Sequence, residues 1–328
     1  DWSIGRLFKM NIGLRVSQYT HEKRHYVRPE PRFSARYLLN ELTSVKGSYA
    51  LMNQYIHLLS NTGIGLPTDL WVPATKNIGP QHSQQVALGI ARDIPKHKLT
   101  LTVEGYYKKM EDIIHYKEGA SFLEGDGEGG DDFNYEDQVT AGQGESYGGE
   151  IMLQRKVGKF SGWIGYTLSW TKLQFDELNF GKPFYARYDR RHDISLVGIY
   201  KINDHVQIAA TWVYGTGQAI TLPLANYQVQ QHNIDVNNSM FYGGNYYVEY
   251  YGDKNSFRMA AYHRFDVSAQ FVKQLKRSKR TFEVGLYNAY NRKNPFFYYI
   301  NTDSRGNNKL KQVSLFPILP SVSWTYAF

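Results

Sequence analysis

Apolar and polar residues alternate along several stretches of this chain, and the clearest stretch lies close to its start. Within residues 8–17 every second residue is apolar, and the residues between them are polar, charged or glycine. Successive side chains of a β-strand point to opposite faces, so this period of two predicts a strand with one wholly apolar face. That face consists of Phe8, Met10, Ile12, Leu14 and Val16.

Similar alternation recurs to the end of the chain and predicts about twelve strands. Their expected positions are 7–18, 30–40, 43–52, 82–94, 97–110, 146–157, 159–174, 187–201, 204–217, 262–275, 279–292 and 311–328. The connections alternate in length. Short turns are expected at 40–43, 94–97, 157–159, 201–204 and 275–279. Long loops are expected at 19–29, 53–81, 111–145, 176–186, 218–261 and 293–310.

Strand length separates two possible all-β architectures. Crossing a bilayer in a tilted barrel takes about 9–11 residues, whereas strands of soluble sandwiches usually run about 5–6. Most of the predicted strands exceed the soluble length, and long loops on one side with short turns on the other are typical of transmembrane barrels. The pattern therefore predicts an antiparallel transmembrane β-barrel. We expect the apolar face of the first strand to contact outer-membrane lipid.

Composition changes this picture only in part. The 27 Tyr, 17 Phe and 6 Trp make up 15% of the 328 residues, and Tyr and Trp suit the aromatic girdles of a barrel. The net charge is +8, but the basic residues are scattered, which argues against a nucleic-acid partner. The chain has no cysteine, so disulfides and thiolate metal sites are excluded.

Aromatic residues in two long loops are the best candidates for contacting a ligand from outside. Rigid rings with a polar tip are good anchors, although they can equally pack one loop against another. A lumen-facing cation could guide the ligand inward. The candidate ligand-binding residues are Tyr55, Asp69, Trp71, Arg191, Tyr246 and Tyr250.

Other charged segments give weaker signals. Loop 111–145 is rich in acidic residues and glycine, and Asp126, Asp131 and Asp132 are weak candidates for a calcium site, but their spacing does not match an EF-hand. The segment 187–193 either contacts a ligand or plug, or forms a cross-strand ion-pair ladder, the interpretation we favour. The sequence contains no catalytic motif, so we expect no enzyme activity and no cofactor.

Six segments of the chain resemble TonB-dependent receptors of bacterial outer membranes. They are Ser48–Ser60, Leu66–Pro73, Val103–Met110, Ser146–Glu150, Arg187–Asp193 and Trp324–Phe328. The resemblance implies a 22-stranded barrel that is closed by a separate N-terminal plug. It also implies that uptake is driven by the inner-membrane TonB system. The plug and about ten strands have no counterpart in residues 1–328, so we expect the chain to be the C-terminal portion of such a barrel. A self-closing twelve-stranded barrel is the alternative.

The resemblance also implies a function and a location. We expect a multi-pass protein in the outer membrane of a diderm bacterium, taking up a scarce nutrient such as a metal chelate, cobalamin, glycan or peptide. The terminal aromatic Phe328 resembles the signal that the barrel-assembly machinery recognises. The alternatives are a passive pore or structural barrel and, less favoured, an enzyme barrel such as a phospholipase.

Overall fold

The computed structural model describes residues 2–60, 69–120, 134–235, 240–303 and 308–328, with backbone alone at 226, 228–235, 240–247 and 302. Strands make up most of this part. In chain order they are β1 Trp2–Ile4, β2 Phe8–His21, β3 Arg24–Asn40, β4 Thr43–Gln54, β5 Ile56–Ser60, β6 Asp69–Pro73, β7 Gln81–Ile94, β8 Leu99–Tyr116, β9 Val139–Arg155, β10 Phe160–Gln174, β11 Phe184–Tyr185, β12 His192–Lys201, β13 Val206–Gly215, β14 Ala219–Ile220, β15 Pro223–Asp235, β16 Met240–Tyr251, β17 Phe257–Arg258, β18 Tyr262–Gln274, β19 Lys279–Tyr287, β20 Pro295–Thr302, β21 Asn308–Ser314 and β22 Leu319–Ala327. Three short 3-10 helices lie at Pro95–His97, Tyr135–Gln138 and Asn179–Gly181.

Thirteen strands form one continuous antiparallel wall. Its order is β1, β2, β3, β4, β7, β8, β9, β10, β12, β13, β18, β19 and β22, and β11 adds to β10. The twelve predicted strands all have counterparts in this wall, which confirms the predicted fold class. The described strands form an open path from β1 to β22, and these two end strands do not pair with each other, unlike in a self-closing barrel.

The two faces of the wall differ in chemistry from β2 to β10. In the strand register, Ile12 shares a face with a transverse row made of Phe33, Tyr49, Val86, Tyr107, Tyr147 and Trp170. The opposite face carries ion pairs between neighbouring strands, such as Arg15 with Glu30. A barrel in lipid needs an apolar outer face and tolerates a polar lumen, so the first face is the outer one. No helix in the described residues is long and apolar enough to cross a membrane.

The buried core lies at one end of the wall, which we call the loop end because it carries the long connections. Four two-stranded sheets (β5–β6, β14–β17, β15–β16 and β20–β21) form there. Under β5–β6 lies one apolar cluster, formed by Leu59, Val72, Ile78, Ile114, Tyr116 and Val139. A second cluster packs Leu173, Phe175, Leu178, Phe184 and Ala186 beside the end of β10. Apolar burial therefore orders the loop end, while the outer wall leaves its apolar side chains uncovered.

Several predicted boundaries were wrong: β8 and β9 extend into the predicted loop 111–145, to Tyr116 and from Val139, and β19 ends at Tyr287 instead of 292. Residues 19–29 were expected to form a long loop, but β2 and β3 continue through them and meet at a tight turn beside Glu22, whose φ is +50°. The strand expected from residue 187 begins at His192. The strand expected over 311–328 is two strands, because the chain turns at Phe316 with a φ of +55° before β22.

Candidate ligand site at the loop end

A cleft of about 410 Å³ opens at the loop end between five chain segments. Residues from the β5–β6 hairpin line it together with 187–190, 216–218, 259–262 and 295–296. Its size falls within the range of small-molecule sites. Because its walls come from distant parts of the chain, the cleft exists only when these loops pack together.

The cleft combines two cations and one anion with apolar and aromatic walls. Arg187 and Arg190 line it together with Asp69. Burial lowers the pKa of Arg187, and the nearby Asp69 carboxylate opposes that shift. Arg190 lies 6.0 Å from the centroid of the Tyr262 ring, and its Nη1 is 3.7 Å from a carboxylate oxygen of Asp193. The remaining lining includes Leu58, Tyr188, Met259 and Phe296. An anion with an apolar or aromatic body fits this chemistry.

The buried carboxylate of Asp189 holds the cationic side of the cleft in place. Its Oδ1 accepts a 2.5 Å hydrogen bond from the backbone nitrogen of Thr171, and its Oδ2 pairs with Arg258. The Arg258 guanidinium also donates to the backbone oxygens of Asp189 and Gly217. Asp189 therefore joins β10, the segment before β12, the segment after β13 and β17.

Arg191 belongs to the same buried network and not to the cleft lining. Its Nη2 is 3.6 Å from the Asp189 carboxylate, and its guanidinium lies 4.5 Å from the Trp170 ring centroid and 5.2 Å from that of Tyr185. The Arg258 guanidinium lies near the same Tyr185 ring, 5.0 Å from its centroid. The ladder interpretation of segment 187–193 was therefore close in chemistry but wrong in geometry, because two of its three ion pairs converge on the buried Asp189.

The predicted ligand residues do not gather at one place. Asp69 lines the cleft, and Trp71 lies on the same exposed face of the β5–β6 hairpin as Leu58. Tyr55 is held against the wall, because its hydroxyl is 2.7 Å from Ser17 Oγ and its ring stacks on Tyr19 at 5.1 Å.

The remaining candidates lie elsewhere. Tyr250 is exposed on β16 and packs edge-on against Tyr227 at 6.2 Å, away from the cleft lining. Tyr246 is in the same strand, but its side chain lies outside the described residues. Asp126, Asp131 and Asp132 also lie outside them. Among the residues that are described, no group of His, Asp or Glu side chains is arranged to hold a metal ion.

Arg187, Arg190 and Tyr262 are the site residues that sequence reasoning missed. The two arginines belong to a segment that the sequence already marked, but the candidate chosen from it was Arg191. A strand was expected there, and alternation along a strand would have placed Arg191 facing the lumen. The backbone before His192 is not a strand, so that alternation does not apply.

One buried histidine, His115, lies at the loop end. His115 is the penultimate residue of β8, beyond the length needed to span the membrane, and packs edge-on against Phe175 and Phe184. Its Nδ1 donates a hydrogen bond of 2.9 Å to the Tyr116 carbonyl. Burial, together with the nearby Lys254 ammonium, lowers the pKa of His115 to about 4.

We expect the stability of the loop end to fall as the pH drops from about 6.5 towards 4. A folded-state pKa below the unfolded value means that the unfolded chain binds the extra proton, so stability is complete above pH 6.5 and is lost on acidification. The loss attributable to His115 is about 3 kcal/mol at most. Thermal unfolding followed by near-UV circular dichroism should show a shallower pH slope for His115→Gln below pH 6.5. An identical slope in both proteins would contradict this assignment.

Comparison with known proteins agrees with this architecture. An antiparallel wall with an apolar outer face, short turns at one end and long loops at the other is typical of an outer-membrane β-barrel. The family model described as TonB dependent receptor-like, beta-barrel matches residues 1–291. The chain therefore belongs to the TonB-dependent receptor family, whose members are transport receptors and not enzymes. Comparison with curated protein sequences gives no match.

Solved structures share the fold at low sequence identity. The ferripyoverdine receptor of the outer membrane of Pseudomonas aeruginosa matches with a TM-score of 0.54 and 15% identity, over 98% of this chain and 36% of that one. The ferric-catecholate import receptor Fiu from K12 E. coli matches at 0.54 and 13%, over 98% and 42%. The ferric citrate transporter FecA matches at 0.55 and 10%, over 99% and 43%. The chain thus spans about two fifths of the length of these proteins.

Proposed function

We propose that this chain forms part of an outer-membrane receptor that imports an anionic iron chelate, energised by the TonB system. The cleft at the loop end carries the proposal. It places the guanidinium groups of Arg187 and Arg190 beside aromatic and apolar walls, on the side from which a ligand arrives. Guanidinium groups bind carboxylates and catecholate-like oxygens through paired hydrogen bonds, and aromatic walls match the body of a chelator.

The structural relatives support the choice of ligand class. Their names describe a ferripyoverdine receptor, a ferric-catecholate import receptor and a ferric citrate transporter. The outer barrel surface would contact membrane lipid, with the barrel-assembly machinery and the TonB system as its protein partners.

We expect the double variant Arg187→Gln/Arg190→Gln to weaken binding of an anionic ferric chelate by at least about 100-fold, because each of the two lost charged hydrogen bonds costs ~1.5–3 kcal/mol. The full receptor would be expressed in an iron-starved host without its own receptors. Uptake of radiolabelled ferric citrate, ferripyoverdine and a ferric tricatecholate would then be measured. Lys182→Gln, at an exposed loop cation outside the cleft, is the matched control and should leave uptake unchanged.

Two outcomes would reject the proposal. Unchanged uptake in the arginine double variant would exclude the cleft as the binding site. Undiminished uptake in a host without TonB would instead indicate a passive pore.

A further inference from the structure

Four arginines follow one another along β3 at intervals of four residues: Arg24, Arg28, Arg32 and Arg36. Side chains two residues apart in a strand share a face, so a spacing of four keeps all four on the same side of the wall. At about 3.3 Å per residue, neighbouring arginines are about 13 Å apart along the strand, and the series covers about 40 Å. All four arginines are exposed.

The register assigns this series to the inner face. The four arginines oppose His21, Ser17, Gly13 and Lys9 of β2, whereas the alternate positions of β2 carry the exposed apolar set Ile12, Leu14 and Val16. Loop residues also fold over this inner face, since the hydroxyl of Tyr26 on β3 donates to the Thr75 carbonyl. Gly13 leaves room for one of the arginines: a Cβ added there would be 2.9 Å from Arg32 Cγ.

These arginines lack acidic partners in the described part of the chain. The carboxylate of Glu30, the one acidic residue of β3, accepts from Ser17 Oγ at 2.7 Å and lies 3.5 Å from Arg15. None of the four β3 arginines forms an ion pair with any described residue. Within the described residues, no acidic side chain therefore compensates the positive charge that these arginines direct into the lumen.

The end of the series away from the loops widens into a cationic concavity. Lys9 and Lys46 flank Arg36 on the neighbouring strands, in a row of three cations in register. They line a depression of about 630 Å³, where Lys46 also pairs with Glu104. Like charges directly opposite one another destabilise a sheet unless an anion lies between them. The foot of the series thus favours an anionic occupant.

The length of the arginine series on β3 favours a path along which an anion moves over a single binding site. Residues 24–36 exceed the roughly 9–11 residues that cross the hydrocarbon layer. Arg24 therefore lies beyond the membrane at the loop end, while Arg36 lies close to the short turn at 40–43. An acidic protein segment bound at one height would leave part of such a series unused.

We propose that Arg24, Arg28, Arg32 and Arg36 form a track along the lumen wall that binds a small polyanion at successive heights, and that its ligands carry several carboxylates or phosphates. This track rests on the proposed function in that it would carry an imported anionic chelate from the cleft towards the periplasm. Exposed guanidinium groups spaced along a low-dielectric wall concentrate anions and pass them from one fork to the next.

The test measures anion binding directly, without requiring transport. The full receptor, purified in detergent at low ionic strength, would be titrated with citrate by calorimetry, using the neutral triethyl ester as the ligand control. Replacing all four arginines with glutamine should weaken citrate binding by about 30-fold or reduce its stoichiometry, because charge-assisted hydrogen bonds are lost. Replacing all four with lysine should retain most of the binding, and raising the salt concentration should weaken it.

Three further variants separate the track from other cations. The same titrations in the Arg187→Gln/Arg190→Gln receptor remove the contribution of the cleft. Lys23→Gln, in the turn beside Arg24, and Lys201→Gln, on the inner face of β12, are matched controls that should bind citrate normally. Loss of citrate binding in the glutamine variant of a receptor that imports no iron would support the track and reject the proposed function.

Two outcomes would overturn the track. In the first, the glutamine variant binds citrate as tightly as the unaltered receptor. In the second, the unaltered receptor binds no citrate and the glutamine variant melts at a lower temperature, which would show that the arginines hold an acidic protein segment. The lysine variant, which keeps the charges, shows whether the wall still folds.

Discussion

Replacing Asp189 with asparagine is expected to lower the stability of the loop end by about 3 kcal/mol and to disorder the cationic side of the cleft. The side chain is fully buried and pairs with Arg258 and Arg191 at once. Removing one charge from a buried pair typically costs ~3–5 kcal/mol, because the remaining partner keeps its desolvated charge. Two guanidinium groups lose their counterion here.

Limited trypsin digestion of intact cells measures this effect at the right place. Trypsin cleaves after arginine, and Arg187, Arg190 and Arg191 all lie in the segment that Asp189 holds. Asp193→Asn is the matched control, because that side chain is 45% exposed and its nearest guanidinium nitrogen is 3.7 Å away. Exposed ion pairs contribute at most about 1 kcal/mol. Equal cleavage rates for the two variants would show that the Asp189 network does not hold the segment.

A methyl group at position 217 is expected to disrupt the cleft. Gly217 lines it, and a Cβ added there would overlap the backbone carbonyl group of Met259. The clash cannot be relieved by side-chain rotation, since the backbone fixes both the Cβ position and the Met259 carbonyl. The Met259 nitrogen is also held by a 2.9 Å hydrogen bond that it donates to the Gln218 carbonyl. Overpacking usually costs ~1–3 kcal/mol, and a clash between backbones belongs at the upper end of that range.

We expect Gly217→Ala to melt at a lower temperature and to lose at least about 10-fold in affinity for a ferric chelate that the receptor takes up, in proportion to this cost. Gly79→Ala is the control at the same end of the molecule, because a Cβ there has no heavy atom within 4 Å. The melting temperature and the chelate affinity of that control should match those of the unaltered receptor. Normal chelate affinity in Gly217→Ala would mean that the ligand binds outside the cleft.

Alternation predicts a strand most accurately where the strand crosses lipid. The outer face must be apolar there, so Ile12, Leu14 and Val16 mark their strand clearly. Beyond the membrane neither face has to be apolar, and β2 and β3 continue through residues 19–29 with polar side chains on both sides. The β5–β6 hairpin was missed for the same reason, because its buried Leu59 packs against residues of β8 and β9 at the loop end and not on lipid.

The amino-acid pattern is enough to give the wall: its main strands and its outer face follow from the need to present apolar side chains to lipid. The site is visible only in the folded chain. Asp69 and Arg187 are far apart in sequence and meet in one cleft because apolar clusters and the Asp189 network pack separate loops together. The four arginines of β3 are visible in the sequence and their spacing gives them a common face, but the assignment of that face to the lumen depends on strand register. Long-range packing sets these distances, and local patterns carry no record of it.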